Sequence, residues 1–177
     1  MKKKKIKIQK GKGIVFWVTG LSGVGKTTIS SKLKPLLSKK FGTTVLINGD
    51  DLRQIFELKK YDINSRIKYV KQYSRLCKFL TDQNINVIMS VVGLFHNIHS
   101  WNRKNLSNYI EIYIDSNFEI IKKFDFRRVY KKKKVVGVDL KKQIPKKPHI
   151  IIFNDFLKNQ KTYAKIIFNE INKIINK

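Results

Sequence analysis

An α/β fold is predicted by three observations: short apolar runs recur along the chain, helical periodicities separate them, and a glycine-rich loop joins the first run to the first helix. This alternation argues for a three-layer sandwich with a mainly parallel, five-stranded sheet between two helical layers. A length of 177 residues suits one domain with a sizeable core. Residues 1–12 read as a flexible basic leader and 13–177 as the single domain, without internal repeats.

The first strand is Ile14-Val15-Phe16-Trp17-Val18, β-branched and aromatic like a buried parallel strand. Behind it, Gly20-Leu21-Ser22-Gly23-Val24-Gly25-Lys26-Thr27-Thr28 fits G-x-x-x-x-G-K-[ST], the phosphate-binding P-loop. Ile29, Leu33, Leu36 and Leu37 then recur at helical spacing, so a helix begins near Lys26 and closes at Phe41-Gly42, with Pro35 as the place for a bend. Strand, loop and helix together aim backbone N–H groups at a polyphosphate docked on the helix N-terminus. The predicted ATP-binding set is Gly20, Ser22, Gly23, Val24, Gly25, Lys26, Thr27 and Thr28. Lys26 reaches the β- and γ-phosphates as a catalytic candidate, and the Thr27 hydroxyl is the expected Mg²⁺ ligand. A glycine-rich turn with a chance lysine is the bland alternative, and the flanks speak against it.

Thr44-Val45-Leu46-Ile47 is the second strand, running into Asn48-Gly49-Asp50-Asp51-Leu52-Arg53. Acids and an arginine at a strand's carboxyl end stand where α/β folds collect ligand groups. Residues 64–83 are helical, with Ile67, Val70, Tyr73, Cys77 and Leu80 as the buried stripe. Residues 86–92 form the third strand, followed by the loop Gly93-Leu94-Phe95 and a short helix carrying Trp101-Asn102-Arg103. The fourth strand covers 109–114, a helix 117–124, and a basic run from Arg127 to Lys134 opens a lid over about 125–148. Pro145 and Pro148 precede the fifth strand at 149–153, and from Lys161 a closing helix sets Tyr163, Ile166, Ile167, Ile171 and Ile174 on one face.

A formal charge of +27, from 39 Lys and Arg against 12 Asp and Glu, would ordinarily point to nucleic acid or an anionic membrane. Here the lysines are dispersed, and Lys, Asn and Ile are abundant together, the mark of a compositional bias. Most of the charge reads as solvated surface. No apolar stretch is long enough to span a membrane, and the first apolar run ends in the P-loop, unlike a signal peptide. Cys77, the single cysteine, excludes an intrachain disulfide and fits a reducing cytoplasm as inert core packing. His96, His99 and His149 lack metal-ligand spacing, so zinc is not expected, and no Ser/His/Asp arrangement suggests hydrolysis.

The run from Val15 to Gly23, Asn48-Gly49-Asp50-Asp51-Leu52-Arg53, Tyr109-Ile110-Glu111-Ile112-Tyr113-Ile114-Asp115, and Tyr130-Lys131-Lys132 with Val136-Gly137-Val138-Asp139 resemble the adenylylsulfate kinases, in order and over most of the chain. The resemblance implies transfer of the ATP γ-phosphate to the 3′-hydroxyl of adenylyl sulfate, with Mg²⁺, by a cytoplasmic homodimer. It makes Asp50 the acid beside the acceptor hydroxyl, where it orients that hydroxyl, takes its proton or holds metal-bound water; the alternative is a helix N-cap. Arg53 and Arg66 would grip anionic groups of the acceptor, and Tyr61 would stack on its base or else pack in the core. Gly93 and Phe95, from the loop after the third strand, and Lys132 and Lys133 of the lid complete the acceptor set.

Departures from the family pattern gather on the acceptor side. Asn48 replaces an acid, Tyr69 an asparagine, Gly93 a serine and Phe124 an arginine, although Asp125 remains, and the lid is shorter. A second acceptor, cytidine diphosphoramidate on a route to capsule decoration, is therefore implied as the alternative, and Trp101-Asn102-Arg103 resembles that branch. A basic P-loop NTPase that binds nucleic acid is the remaining reading.

Overall fold

The computed structural model describes residues 5–123, 129–131 and 135–176. Five parallel strands form the central sheet in the order β3-β4-β2-β5-β6. They are β2 (Val15–Thr19), β3 (Thr44–Asn48), β4 (Asn86–Val91), β5 (Tyr109–Asp115) and β6 (Ile150–Phe153). β2 lies between β4 and β5, which explains its uninterrupted apolar run: Val15, Phe16, Trp17 and Val18 have no measurable exposure. Burying one such large side chain stabilises by roughly 1.5–3 kcal/mol.

Helices cover both faces. On one, α1 (Lys26–Phe41) and α6 (Gln160–Ile174) pack Leu33, Leu37, Ile167 and Ile171 against Phe16, Ile88, Ile110 and Ile112. On the other, α3 (Ile63–Asp82) and α4 (His96–Asn105) lay Val70, Tyr73, Cys77 and Ile98 over Val15, Trp17, Val87 and Met89. Cys77 is fully buried, and burial pushes its thiol up to about 12, in keeping with inert packing. α1 continues through Pro35 and ends at Gly42, whose N–H donates to Ser38 O at 3.0 Å. Asp62 caps α3 by accepting from the Ser65 N–H at 2.9 Å.

Two expectations need correction. Part of the supposed flexible leader is structured: β1 (Ile6–Lys7) pairs in parallel with β7 (Ile175–Asn176), and Ile6 and Ile8 pack on the core. Asn108 holds the following residues by accepting from Gln9 N–H and donating to the carbonyls of Gln9 and Lys12. Second, the Asp50 segment forms a helix, α2 (Gly49–Ile55), capped at Asn48; Asp50 therefore lies in the first turn and is not the N-cap. The helix after β5, α5 (Phe118–Lys123), is described to Lys123, and Phe124 and Asp125 lie outside the described residues.

Behind β5, Arg103 of α4 pairs with the fully buried carboxylate of Glu111 and also donates to Lys147 O at 2.6 Å. Tyr109 donates its hydroxyl to the same carboxylate at 2.9 Å, and the Glu111 N–H donates to His149 Nδ1 at 2.8 Å. Burial nevertheless lifts the Glu111 carboxyl above its ordinary range. This network anchors the strap before β6 to the sheet.

Candidate active site

At the carboxyl ends of β2, β3 and β4 lies a cleft of about 320 Å³. Its donor end is the P-loop: Ser22, Gly23, Gly25, Lys26, Thr27 and Thr28 all line it. Gly25 caps α1 at φ 88°, a left-handed conformation that glycine adopts without strain. A Cβ there would also stand 2.9 Å from Asn154 Nδ2, which donates to Val24 O at 3.1 Å. Lys26 is nearly buried at 8% exposure and donates to Leu21 O at 2.6 Å, holding its ammonium inside the loop. Gly20 and Val24 shape the loop from behind: Gly20 abuts Ile114 O, and Val24 is wholly buried.

The acceptor end takes Asp50 and Arg53 from α2, Arg66 from α3, and Gly93 and Phe95 from the loop after β4. Asp50 is exposed at the cleft wall. Arg53 donates to Leu58 O at 2.5 Å and Lys60 O at 2.8 Å, and Arg66 Nε donates to Tyr61 O at 2.8 Å. Both guanidinia are thereby fixed by one loop. Burial, and then the neighbouring Arg53, lower the proton affinity of Arg66, the electrostatic signature of a place suited to an anion.

Tyr61 is not in this cleft. It is 52% exposed, which removes the core-packing reading, and its ring lies 4.0 Å from the Arg53 guanidinium. With Asp50 and Arg53 it borders an adjoining hollow of about 510 Å³. The serine that the family pattern suggests at Gly93 would be tight: its Cβ would approach Val91 to 3.1 Å and Trp17 to 3.2 Å, so those side chains would have to give by a few tenths of an ångström. His99 fixes this loop through Nε2 and Gly93 O at 2.9 Å, and burial lowers its pKa to about 4. His96 instead meets Ile144 O at 2.9 Å through Nε2.

The segment expected to close the site is described in part. Tyr130 donates to Ser22 O at 2.7 Å and meets Phe118 edge-on at 5.1 Å, and Val129 and Val136 line the cleft. Lys132 and Lys133, expected to contact the acceptor, lie outside the described residues. Val70, Tyr73, Val129 and Val136 line the cleft without having been singled out as site residues. The apolar stripe of α3 hid Tyr73, although it stands two helical turns beyond Arg66.

Among the described residues no group of three His, Cys, Asp or Glu could hold a metal alone. The Thr27 hydroxyl and the Asp50 carboxylate, both in the cleft wall, are hard oxygen donors that fit Mg²⁺ completed by phosphate and water.

Comparison with known proteins supplies the family. The family model for adenylylsulphate kinase matches residues 12–153. The cytidine diphosphoramidate kinase of Campylobacter jejuni subsp. jejuni serotype O:2 is 33% identical over 163 residues, covering 89% of this chain and 95% of that protein. The adenylyl-sulfate kinase of Clostridium acetobutylicum is 33% identical over 161 residues, with 82% and 77% covered. The structure of the Mycobacterium tuberculosis APS kinase in complex with AMPPNP and APS superposes with a TM-score of 0.81 at 20% identity, over 91% of this chain and 98% of that one. Loop, sheet and cleft define a P-loop phosphotransferase. Within that class, the chain belongs to the adenylylsulphate kinase family.

Proposed function

We propose that this protein transfers the γ-phosphate of ATP to the 3′-hydroxyl of a nucleotide acceptor, with cytidine diphosphoramidate as first acceptor and adenylyl sulfate as second. One observation carries the reading: the P-loop and the Asp50–Arg53–Arg66 group face a single cleft. The first acceptor is favoured because the match spans 95% of the Campylobacter kinase, and because the acceptor side departs from the sulfate-kinase pattern at Tyr69 and Gly93.

In this mechanism the P-loop N–H groups and Lys26 hold the triphosphate, and Arg53 and Arg66 hold the anionic part of the acceptor. Asp50 orients the 3′-hydroxyl and takes its proton as the new O–P bond forms. The bond from the γ-phosphorus to its bridging oxygen breaks, and ADP departs. The Thr27 hydroxyl would hold Mg²⁺, which would supply charge neutralisation at the phosphates. Val129, Val136 and the basic segment around Lys132 and Lys133 act as the lid that excludes water. A cytoplasmic homodimer is part of this proposal; no helix among the described residues is long and apolar enough to cross a membrane.

The deciding experiment is an ATP turnover assay against cytidine diphosphoramidate, adenylyl sulfate, simple nucleosides and RNA oligonucleotides. Selective phosphorylation of one of the two named nucleotides is expected. ATP hydrolysis stimulated only by oligonucleotides, and suppressed by salt, would replace this reading with nucleic-acid binding.

A further inference from the structure

Tyr73 looks like a core residue in the pattern of α3, yet its hydroxyl does not behave like one. The residue is 3% exposed, and its oxygen is buried with no hydrogen-bond partner among the described residues. Leaving a buried hydroxyl unbonded carries a desolvation cost that phenylalanine, filling the same space, would not.

The position of the ring suggests what the hydroxyl serves. Arg66, Val70 and Tyr73 stand at i, i+4 and i+7 on α3, which puts them on one helical face, and all three line the cleft. Opposite them, Asp50 and Arg53 of α2 are close enough to act electrostatically on the phenol. Burial raises the phenol to about 12, so it keeps its proton and remains a donor at neutral pH. The phenol thus adds a neutral O–H to a cleft wall that already carries two guanidinia.

We propose that Tyr73 is a specificity-determining residue, its hydroxyl donating to a phosphoryl oxygen of the acceptor nucleotide between Arg53 and Arg66. This rests on the reading of the protein as a nucleotide 3′-kinase, which puts an acceptor phosphoryl group in that half of the cleft. The arginines recognise the charge of the acceptor. An uncharged donor on a residue that lines the cleft recognises the position of one oxygen, and a site built to make such a bond rejects ligands that cannot accept it.

The test is Tyr73→Phe, which removes one oxygen and keeps the ring. Steady-state kinetics should show the acceptor KM raised by about tenfold, with kcat and the ATP KM within about twofold of wild type. Its thermal midpoint should match or exceed wild type. An unchanged acceptor KM overturns the proposal, and so does a lowered midpoint with unchanged kinetics, which would mark a structural hydroxyl. Calorimetry with CDP and AMP, in the presence of a non-hydrolysable ATP analogue, separates this inference from the reading beneath it. Wild type binding a probe about tenfold more tightly than Tyr73→Phe, while phosphorylating nothing in the panel, would sink the kinase reading and keep Tyr73. Phosphorylation by both proteins with equal acceptor KM would do the reverse. No probe bound by wild type would sink both.

Discussion

The donor end of the cleft comes from one unbroken stretch, residues 20–28, whereas the acceptor end is assembled from α2, α3 and the loop after β4. Backbone amides, one lysine and one hydroxyl are what the first offers a ligand, and their geometry follows from a glycine spacing. The second offers side chains, carried by three different elements. Arg53 and Arg66 depend on carbonyls of residues 58–61, and Gly93 depends on Trp17 beneath it and on the His99 ring. A site fixed by local backbone geometry tolerates drift elsewhere in the chain. One fixed by several packed elements can change its ligand through a few substitutions, and the departures at Tyr69 and Gly93 fall there.

This contrast is open to three tests. Lys26→Ala should depress turnover by about two to three orders of magnitude, and equally for every acceptor, because it acts on the phosphates common to all. A loss that differed among acceptors in steady-state assays would dissolve the division between the two ends. Asp50→Ala should lower kcat by about 10²- to 10⁴-fold while ATP affinity, measured by calorimetry, stays within about threefold. Since Asn48 holds the N-cap position, the same variant should not show the loss of stability expected of a removed cap. A large fall in thermal midpoint with intact kcat would return Asp50 to a structural role.

The smallest effect concerns acid. Burial lowers His99 and His149 to about 4 in the folded protein, against about 6.5 for a free imidazole. Between those values the unfolded chain binds protons that the native state does not, so stability is full above about 6.5 and falls as pH drops towards 4. Each ring contributes up to about 1.4 kcal/mol per pH unit in that window. Because His99 holds Gly93, hydrogen exchange at pH 5 should rise first in the loop after β4, with the P-loop still protected. Earlier loss of protection in residues 20–28 would count against this ordering.

The lesson extends to Tyr61, for which the residues left base stacking and core packing open, and to Tyr73, which their pattern placed in the core. Tyr61 sits in a stretch open to core packing and proves exposed, while Tyr73 fits an apolar stripe and proves to border the cleft. Periodicity reports which face of a helix is buried. It does not distinguish burial under a sheet from burial beside a ligand cleft. The leader shows the same limit, since the β1–β7 pair joins residues from opposite ends of the chain and leaves no local trace.

By itself, then, the sequence determined the phosphate loop, the parallel α/β layering and the family, because glycine spacing and apolar runs act over a few neighbouring residues. Only the tertiary structure decided that Asp50 is a first-turn residue behind an Asn48 cap, that Arg53 and Arg66 share one loop, and that Tyr73 lines the cleft. Those facts depend on how α2 and α3 seat against the ends of β3 and β4. That seating is set by packing between residues distant in the chain, which no short pattern encodes.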